Sequence, residues 1–289
     1  MIESVIMTNK ENALAKSNRN ILSLVIYIVL SLGTVVVVFP FYWMVTTSLK
    51  TLPEAQSIPP TFIPATFQLK NFVEAWHSAP FGRYFFNSVF TCTTIVGVGL
   101  VTSSLAAFAF AKMRFAGRKF LFFLILSTMM IPGQVLIIPS YLIVAHLGWL
   151  NSYKSLVIPW LANVFTIFLM RQFFMTIPDD LMDASKIDGA SKFRALWMIV
   201  IPLSKPVIIT AGIFDFLMNW NALLWPLIVA KNPKYWTLMV GLSSFNNDAG
   251  SEFHLLMAAS TFAVLPIIIA FFFLQRFFIQ GIARTGLKG

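Results

Sequence analysis

Charged residues are scarce in this sequence. Asp, Glu, Lys and Arg make up 11% of its 289 residues, whereas an average soluble domain is about one-quarter charged. The charges are also unevenly placed, since more than half of the chain lies in six blocks that hold at most one charge each. Such blocks suit bilayer-spanning helices, which need roughly 20 apolar residues. Soluble, nucleic-acid-binding and disordered proteins are therefore excluded.

Residues suited to redox, metal or hydrolytic chemistry are equally few. The single cysteine, Cys92, excludes an intrachain disulfide. The three histidines are isolated, and no zinc-protease, serine-hydrolase or phosphate-cradling motif occurs. We therefore expect no enzyme activity, no metal site and no cofactor on this chain. Any energy source is an ion gradient or a partner subunit.

The six apolar blocks predict six transmembrane helices in an all-α integral membrane protein, because backbone within lipid must satisfy its own hydrogen bonds. The predicted helices lie near residues 21–46, 84–111, 120–142, 154–173, 205–230 and 254–276. They divide the chain into an N-terminal tail (1–20), a six-helix domain (21–276) and a C-terminal tail (277–289).

The distribution of positive charge predicts the orientation of these helices. Fifteen Lys and Arg residues fall in the two tails and in the segments that would share their side of the membrane, against six on the other side. By the positive-inside rule, both termini are expected in the cytoplasm. The net charge of +10 is thus a topology signal, and nucleic acid is not an expected partner.

The most informative segment runs from residue 175 to 204, on the predicted cytoplasmic side. Acidic residues follow Pro178, where a helix N-terminus attracts negative charge. Gly189 suits the left-handed end of that helix, and Ser191 suits the cap of a second helix. The second helix has a predicted amphipathic face formed by Phe193, Leu196, Trp197 and Val200. An ordinary solvated loop would have a similar composition.

The order of residues in this segment resembles a known motif. The string Asp183-Ala-Ser-x-x-Asp188-Gly-Ala-Ser, followed by Ile201-Pro-Leu-x-x-Pro206, is similar to the EAA loop of binding-protein-dependent ABC importer permeases. Asp stands here where that loop has Glu, and Ser where it has the second Ala. Further strings that resemble maltose-type sugar permeases are Phe41–Lys50, Ala106–Lys112, Met130–Val135 and Trp220–Pro226. The C-terminal sequence resembles that of the smaller of the two permease subunits.

This resemblance implies a type I ABC importer permease in a bacterial or archaeal cytoplasmic membrane, carrying a sugar or oligosaccharide. The implied partners are a second permease, two ATPase subunits that bind ATP and Mg²⁺, an extracytoplasmic solute-binding protein and membrane lipid. The residues assigned to ATPase coupling are Asp183, Ala184, Ser185, Asp188, Gly189, Ala190 and Pro202. The C-terminal residues assigned a contact with the same subunits are Gly286, Lys288 and Gly289.

Asp215 is the only acidic residue within a predicted span, and an ionisable group there marks a functional site or a buried pair. Sugar hydroxyls need hydrogen bonds, and sugar rings stack on aromatic rings. The candidate pathway residues are Asp215, Asn219, Trp220, Asn221 and Trp225. Packing of the polar residues against neighbouring helices remains an alternative role.

Two other functions stay open at this point. A secondary transporter would use Asp215 as a proton or ion site, although no internal repeat is visible. An ABC permease for glycerol phosphate or another polar metabolite would favour a cation within the spans, and the sequence places Lys and Arg only at their ends. The segment between Lys50 and Arg83 contains five prolines, so it is not one helix. It suits docking of a binding protein or a purely structural cap.

Overall fold

The computed structural model describes residues 2–245 and 252–285, and within them every regular element is helical. The α-helices are α1 (Ile2–Ser48), α2 (Leu52–Ala55), α3 (Lys70–His77), α4 (Phe81–Lys112), α5 (Arg118–Ser127), α6 (Gly133–His146), α7 (Tyr153–Val157), α8 (Val164–Thr176), α9 (Asp179–Ile187), α10 (Lys192–Ala195), α11 (Ile201–Leu203), α12 (Lys205–Trp220), α13 (Leu224–Val229), α14 (Leu238–Ser243) and α15 (Phe253–Thr285). Three 3₁₀ turns (Thr128–Met130, Ile158–Trp160 and Pro233–Tyr235) and a π turn (Leu196–Val200) lie between them.

Four segments of the described chain are long and apolar enough to cross a membrane. They are Leu22–Ser48, Phe81–Lys112, Tyr153–Thr176 and Phe253–Phe273. Two bent helix pairs, Arg118–Met130 with Gly133–His146 and Lys192–Leu203 with Lys205–Trp220, bring the total to six if each pair is one span. The all-α membrane fold is therefore confirmed, and the side on which the termini lie stays a prediction.

The predicted helices over 120–142 and 205–230 are each interrupted in the structure. The first of these is bent by 101° between Met130 and Gly133. Ile131 is extended there, as a residue before proline prefers, and Pro132 has no N–H to continue the helix. In the second, α12 ends at Trp220 and a separate helix begins at Leu224.

The chain forms two compact units, of which the first comprises residues 1–73 and 252–261. Here the segment that follows α1 folds back onto the end of that helix. The ammonium of Lys50, which is 1% exposed, donates to the carbonyl of Thr61 and lies 4.4 Å from the centre of the Trp43 ring. Asn71 donates to the carbonyls of Ser48 and Lys50, at 2.9 and 2.8 Å. The prediction that residues 50–83 do not form one helix is confirmed.

The second unit comprises residues 74–251 and 262–289, and its described core lies between α4, α8 and α12. The apolar side chains at its centre are Ala107, Phe108, Met170, Phe174, Ile177, Leu196, Val200 and Ala211. Close packing of α12 on α4 favours a glycine, because a Cβ at Gly212 would lie 3.2 Å from Leu100 Cδ1 and would push that side chain aside. At Gly241 of α14, an added Cβ would overlap the ring of Tyr84.

A buried amide ties a loop of the second unit to α4. Asn87, which is fully buried, donates to the carbonyls of Lys234 and Trp236, at 2.9 and 2.8 Å. Its carbonyl accepts from the hydroxyl of Tyr153 at 2.7 Å. The neighbouring Ser88 accepts from the backbone N–H of Leu238 at 2.8 Å. These bonds fix the backbone after α13 to α4, and the bond from Tyr153 joins α7 to the same asparagine.

Candidate functional site

The segment from 179 to 200 has the architecture that the sequence predicts. Helix α9 begins after Pro178, with Asp179 and Asp180 in its first turn, where carboxylates stabilise the helix dipole. Helix α10 is capped by Ser191, whose hydroxyl accepts from the N–H of Arg194 at 3.2 Å. The predicted pair of short helices with a glycine between them is therefore confirmed.

Gly189 ends α9 in a tight backbone turn. Its φ is +74°, in the left-handed region where side chains are strained. The N–H of Gly189 donates to the carbonyl of Lys186, and the N–H of Ala190 donates to the carbonyl of Ser185, at 3.1 and 2.9 Å. These two bonds satisfy the last carbonyls of α9 in a Schellman motif. The result is a compact helix end with open space at the glycine.

The coupling candidates of α9 do not all face outward. Asp183, Ala184, Asp188 and Gly189 are exposed. Ser185, which we assigned to ATPase coupling together with Ala184, is instead 7% exposed and donates to the carbonyl of Met182. One residue advances a helix by about 100°, so the neighbour of an outward-facing Ala184 turns towards its own chain. The exposed face therefore contains acidic groups and a glycine turn.

Large apolar side chains are also exposed in this segment, and the sequence had indicated Phe193 among them but not Ile187. Ile187 is 87% exposed and lies two residues before the glycine. Phe193 is 63% exposed, whereas Leu196 and Val200 are buried in the core. The residues of the predicted amphipathic face therefore do not all lie on one side, because the π turn Leu196–Val200 replaces ordinary helix geometry with wider turns. The sequence signal that could have indicated this surface is a large apolar residue, Ile187, two residues before the glycine that ends the helix.

The start of α9 is fixed to the end of α4. Lys112 donates to the carboxylate of Asp179 and to the carbonyl of Ile177, each at 2.6 Å. The hydrogen bond from Lys112, followed by the charge of its ammonium and the smaller effect of Arg114, holds the pKa of Asp179 below its usual value. Asp179 is therefore ionised at neutral pH.

Asp215 lies in a buried polar cluster and is 3% exposed. Its carboxylate accepts from the amide of Asn163 at 2.5 Å and from the hydroxyl of Thr166 at 3.1 Å. Asn163 is also the cap of α8, accepting from the N–H of Phe165 at 2.9 Å. Both partners belong to the first turn of α8, so the cluster joins α12 to the start of α8. Their positions in the sequence gave no sign of this pairing.

The other pathway candidates bond to backbone carbonyls. Asn219 donates to the carbonyl of Asp215, and Asn221 to that of Leu217, each at 2.8 Å. The buried indoles of Trp220 and Trp225 donate to the carbonyls of Ala263 and Ser155, at 3.0 and 2.9 Å. The structure thus places Asp215, Asn219 and Trp220 on α12, Asn221 just after it and Trp225 on α13. It brings the carboxylate of Asp215 together with Asn163 and Thr166 rather than with the tryptophans.

The chain matches a family model over residues 99–284, under the description "Binding-protein-dependent transport system inner membrane component". This range contains the whole 179–200 segment and α12. The chain belongs to this family. It is therefore an inner membrane component of an ABC transport system, as the EAA-like string predicted, and the family is one of permease subunits.

Two curated relatives in this family match nearly the whole chain. The sn-glycerol-3-phosphate transport system permease protein UgpE of Yersinia enterocolitica is 34% identical over 277 residues, covering 93% of this chain and 98% of the relative. The arabinooligosaccharides transport system permease protein AraQ of Halalkalibacterium halodurans is 33% identical over 257 residues, covering 88% and 92%.

A solved structure shows the same fold. It is the crystal structure of a bacterial ABC transporter involved in the import of the acidic polysaccharide alginate, and one of its chains matches with a TM-score of 0.80 and 23% sequence identity. The match covers 90% of the present chain and 97% of that chain. It confirms the permease fold.

Pro202 lies exposed in α11, between the π turn and α12. Gly286, Lys288 and Gly289 lie outside the described residues. No group of three or more His, Cys, Asp or Glu side chains is arranged for a metal ion within the described parts of this permease.

Proposed function

We propose that this chain is the permease subunit of an ATP-driven importer for a sugar or oligosaccharide, delivered by an extracytoplasmic binding protein. It would work with a second permease and two ATPase subunits. The tails and residues 179–200 would lie in the cytoplasm. Import would proceed by alternating access, as closure of the ATPases moves α9 and the helices attached to it.

We call residues 179–200 the docking element, because their exposed face is suited to an ATPase cleft. The observation that carries the proposal is the exposed side of α9 at the compact end formed by Gly189. There Asp183 and Asp188 offer charge and Ile187 offers an apolar contact. A side chain that is 87% exposed gains free energy when a partner covers it. Ala184 and Ala190 leave room for close approach.

The opposite side of the docking element is attached to the membrane-spanning core. Leu196 and Val200 belong to the buried cluster formed with α4, α8 and α12. Met182 of α9 packs against the same cluster. Force applied to the exposed face therefore reaches the spans through packed side chains.

A glycerol phosphate importer is the second candidate, favoured by the similarity to UgpE. Against it, two cations at the ends of spans, Arg171 and Lys112, already have partners in this chain. Arg171 donates to the carbonyl of Phe110 at 3.2 Å and lies 3.9 Å from the centre of the Phe122 ring. Lys112 is held by Asp179 and Ile177. A neutral cargo agrees better with this arrangement.

Reconstitution tests both candidates. The chain is co-expressed with the permease, ATPase and binding-protein genes beside its own, and the complex is placed in proteoliposomes with internal ATP. Uptake of labelled maltotriose, arabinotriose and sn-glycerol 3-phosphate is then compared. ATP-dependent uptake of a saccharide supports the proposal. Uptake of glycerol phosphate alone selects the second candidate, and transport by the chain without any ATPase contradicts both.

A further inference from the structure

The junction between α4, α8 and α9 contains a buried cation. Lys112 is the last residue of α4, and its side chain is 6% exposed. Its ammonium bonds to the carbonyl of Ile177, just before α9, and to the carboxylate of Asp179, the first residue of α9. One side chain therefore holds both sides of the connection at Pro178.

This ion pair differs from an ordinary surface salt bridge. Exposed pairs contribute little, because both side chains remain mobile and solvated. Here only the Asp179 side is exposed, at 80%, while the ammonium is buried and also bonds to backbone. Leaving a buried ammonium without its partners strongly destabilises the folded protein. The geometry at this junction is therefore tightly constrained.

The residues around the pair are fixed as well. Ile177 is 6% exposed and belongs to the core cluster with Phe174. The lysine is thus bonded to a backbone group that is itself packed in the core. Asp179, by contrast, belongs to the docking element. Lys112 is the polar connection between that element and α4.

We propose that Lys112 is a positioning residue that makes the start of the docking element and the end of α4 move as one body. This inference rests on the proposed function, since it assumes that an ATPase moves the docking element. With Lys112 in place, displacement of α9 is passed to α4. Without it, the connection at Pro178 absorbs part of the displacement.

Spin-label distances in the whole complex test this inference. Nitroxides are attached to cysteines at Lys186 of α9 and Ala116 of the loop after α4, both exposed, in a Cys92→Ser background. Distances are measured by pulsed electron resonance with and without ATP and orthovanadate. For the parent complex we expect one narrow distribution that ATP does not change.

In Lys112→Met we expect the narrow peak to broaden and to shift when ATP and vanadate are added, while the ATPase subunits still co-purify and hydrolyse ATP. Lys119→Met is the matched control, because Lys119 is an exposed lysine at the start of α5, and its distribution should stay narrow. Lys112→Arg should restore the narrow peak, since a guanidinium can bond to both a carbonyl and a carboxylate.

The inference is overturned if Lys112→Met keeps the parent distribution while its complex remains intact and active in ATP hydrolysis. If Lys112→Met does not accumulate in the membrane, Asp179→Asn replaces it, because that variant keeps the bond to Ile177. Broadening in Asp179→Asn supports the inference, and an unchanged peak contradicts it. Failure of the proposed function looks different, because then the parent chain itself purifies without an ATPase.

Discussion

Replacing Gly189 by Asp tests the docking role of the helix end most directly. Gly189 has φ +74°, and a Cβ added there would have no atom of the chain within 4 Å. Within this chain the change therefore meets no steric clash, and the left-handed backbone costs at most about 1–2 kcal/mol, because Asp adopts it more readily than most L-residues. The new carboxylate at the C-terminal end of α9 opposes the helix dipole and costs about 0.3–1 kcal/mol more. We expect the folded permease to tolerate this strain and to insert normally.

If a partner contacts this turn, the substitution adds two further free-energy costs to the binding of that partner. Overpacking of a close interface costs about 1–3 kcal/mol, and an unpaired polar group buried there costs about 1–3 kcal/mol. Together they would weaken ATPase binding by about 2–6 kcal/mol, which is roughly a thirtyfold loss of affinity or more. Transport should then be abolished although the chain remains in the membrane.

Gly148→Asp is the matched control. Gly148 has φ +68° and also has no atom within 4 Å of an added Cβ, but it lies in the loop between α6 and α7. The new residue, its charge and its conformational strain are the same. We therefore expect Gly148→Asp to keep ATP-dependent uptake and to co-purify with the ATPase subunits.

Uptake in proteoliposomes, co-purification of the ATPases and the amount of chain in the membrane are measured for both variants. Normal uptake by Gly189→Asp would refute the docking role. An equal loss in the two variants would refute the reasoning in another way, because strain alone would then explain both.

Three further outcomes are expected. Asp215→Asn should keep at least part of the ATP-driven uptake. The altered hydrogen bonds to Asn163 and Thr166 should lower the stability of the folded chain by about 1–3 kcal/mol. Complete loss of uptake in this variant, together with proton-dependent uptake in the parent, would instead favour a secondary transporter. Gly241→Ala should lower the melting temperature of the detergent-solubilised complex, because the Cβ of the new alanine overlaps the Tyr84 ring and overpacking costs about 1–3 kcal/mol. An unchanged melting temperature would contradict the close packing of Gly241 on Tyr84. Because the pKa of Asp179 is lowered, the stabilisation from its ionised form is present at neutral pH and is lost only as pH falls through the folded-state pKa. The spin-label distance from Lys186 to Ala116 should therefore be constant from pH 8 to about pH 5. Broadening of the distance distribution near pH 6 would contradict the sign of the shift.

Local rules explain why several features could be read directly from the sequence. Long apolar blocks reveal spans because lipid leaves the backbone no other partner. The glycine end of α9 and the Ser191 cap follow from the conformations and hydrogen bonds that these residues favour near their own position in the chain. The order of residues around Gly189 was also enough to indicate the family.

Only the tertiary structure decided which polar groups meet and which faces are covered. Asp215 bonds to Asn163 and Thr166, which are 52 and 49 residues away in the chain, and no local pattern encodes such a pairing. Burial of Ser185 and exposure of Phe193 depend on how α9 and the π turn rotate against the core. Composition and spacing set which elements form. Packing between distant elements sets the direction in which each side chain points, and therefore which surface remains for a partner.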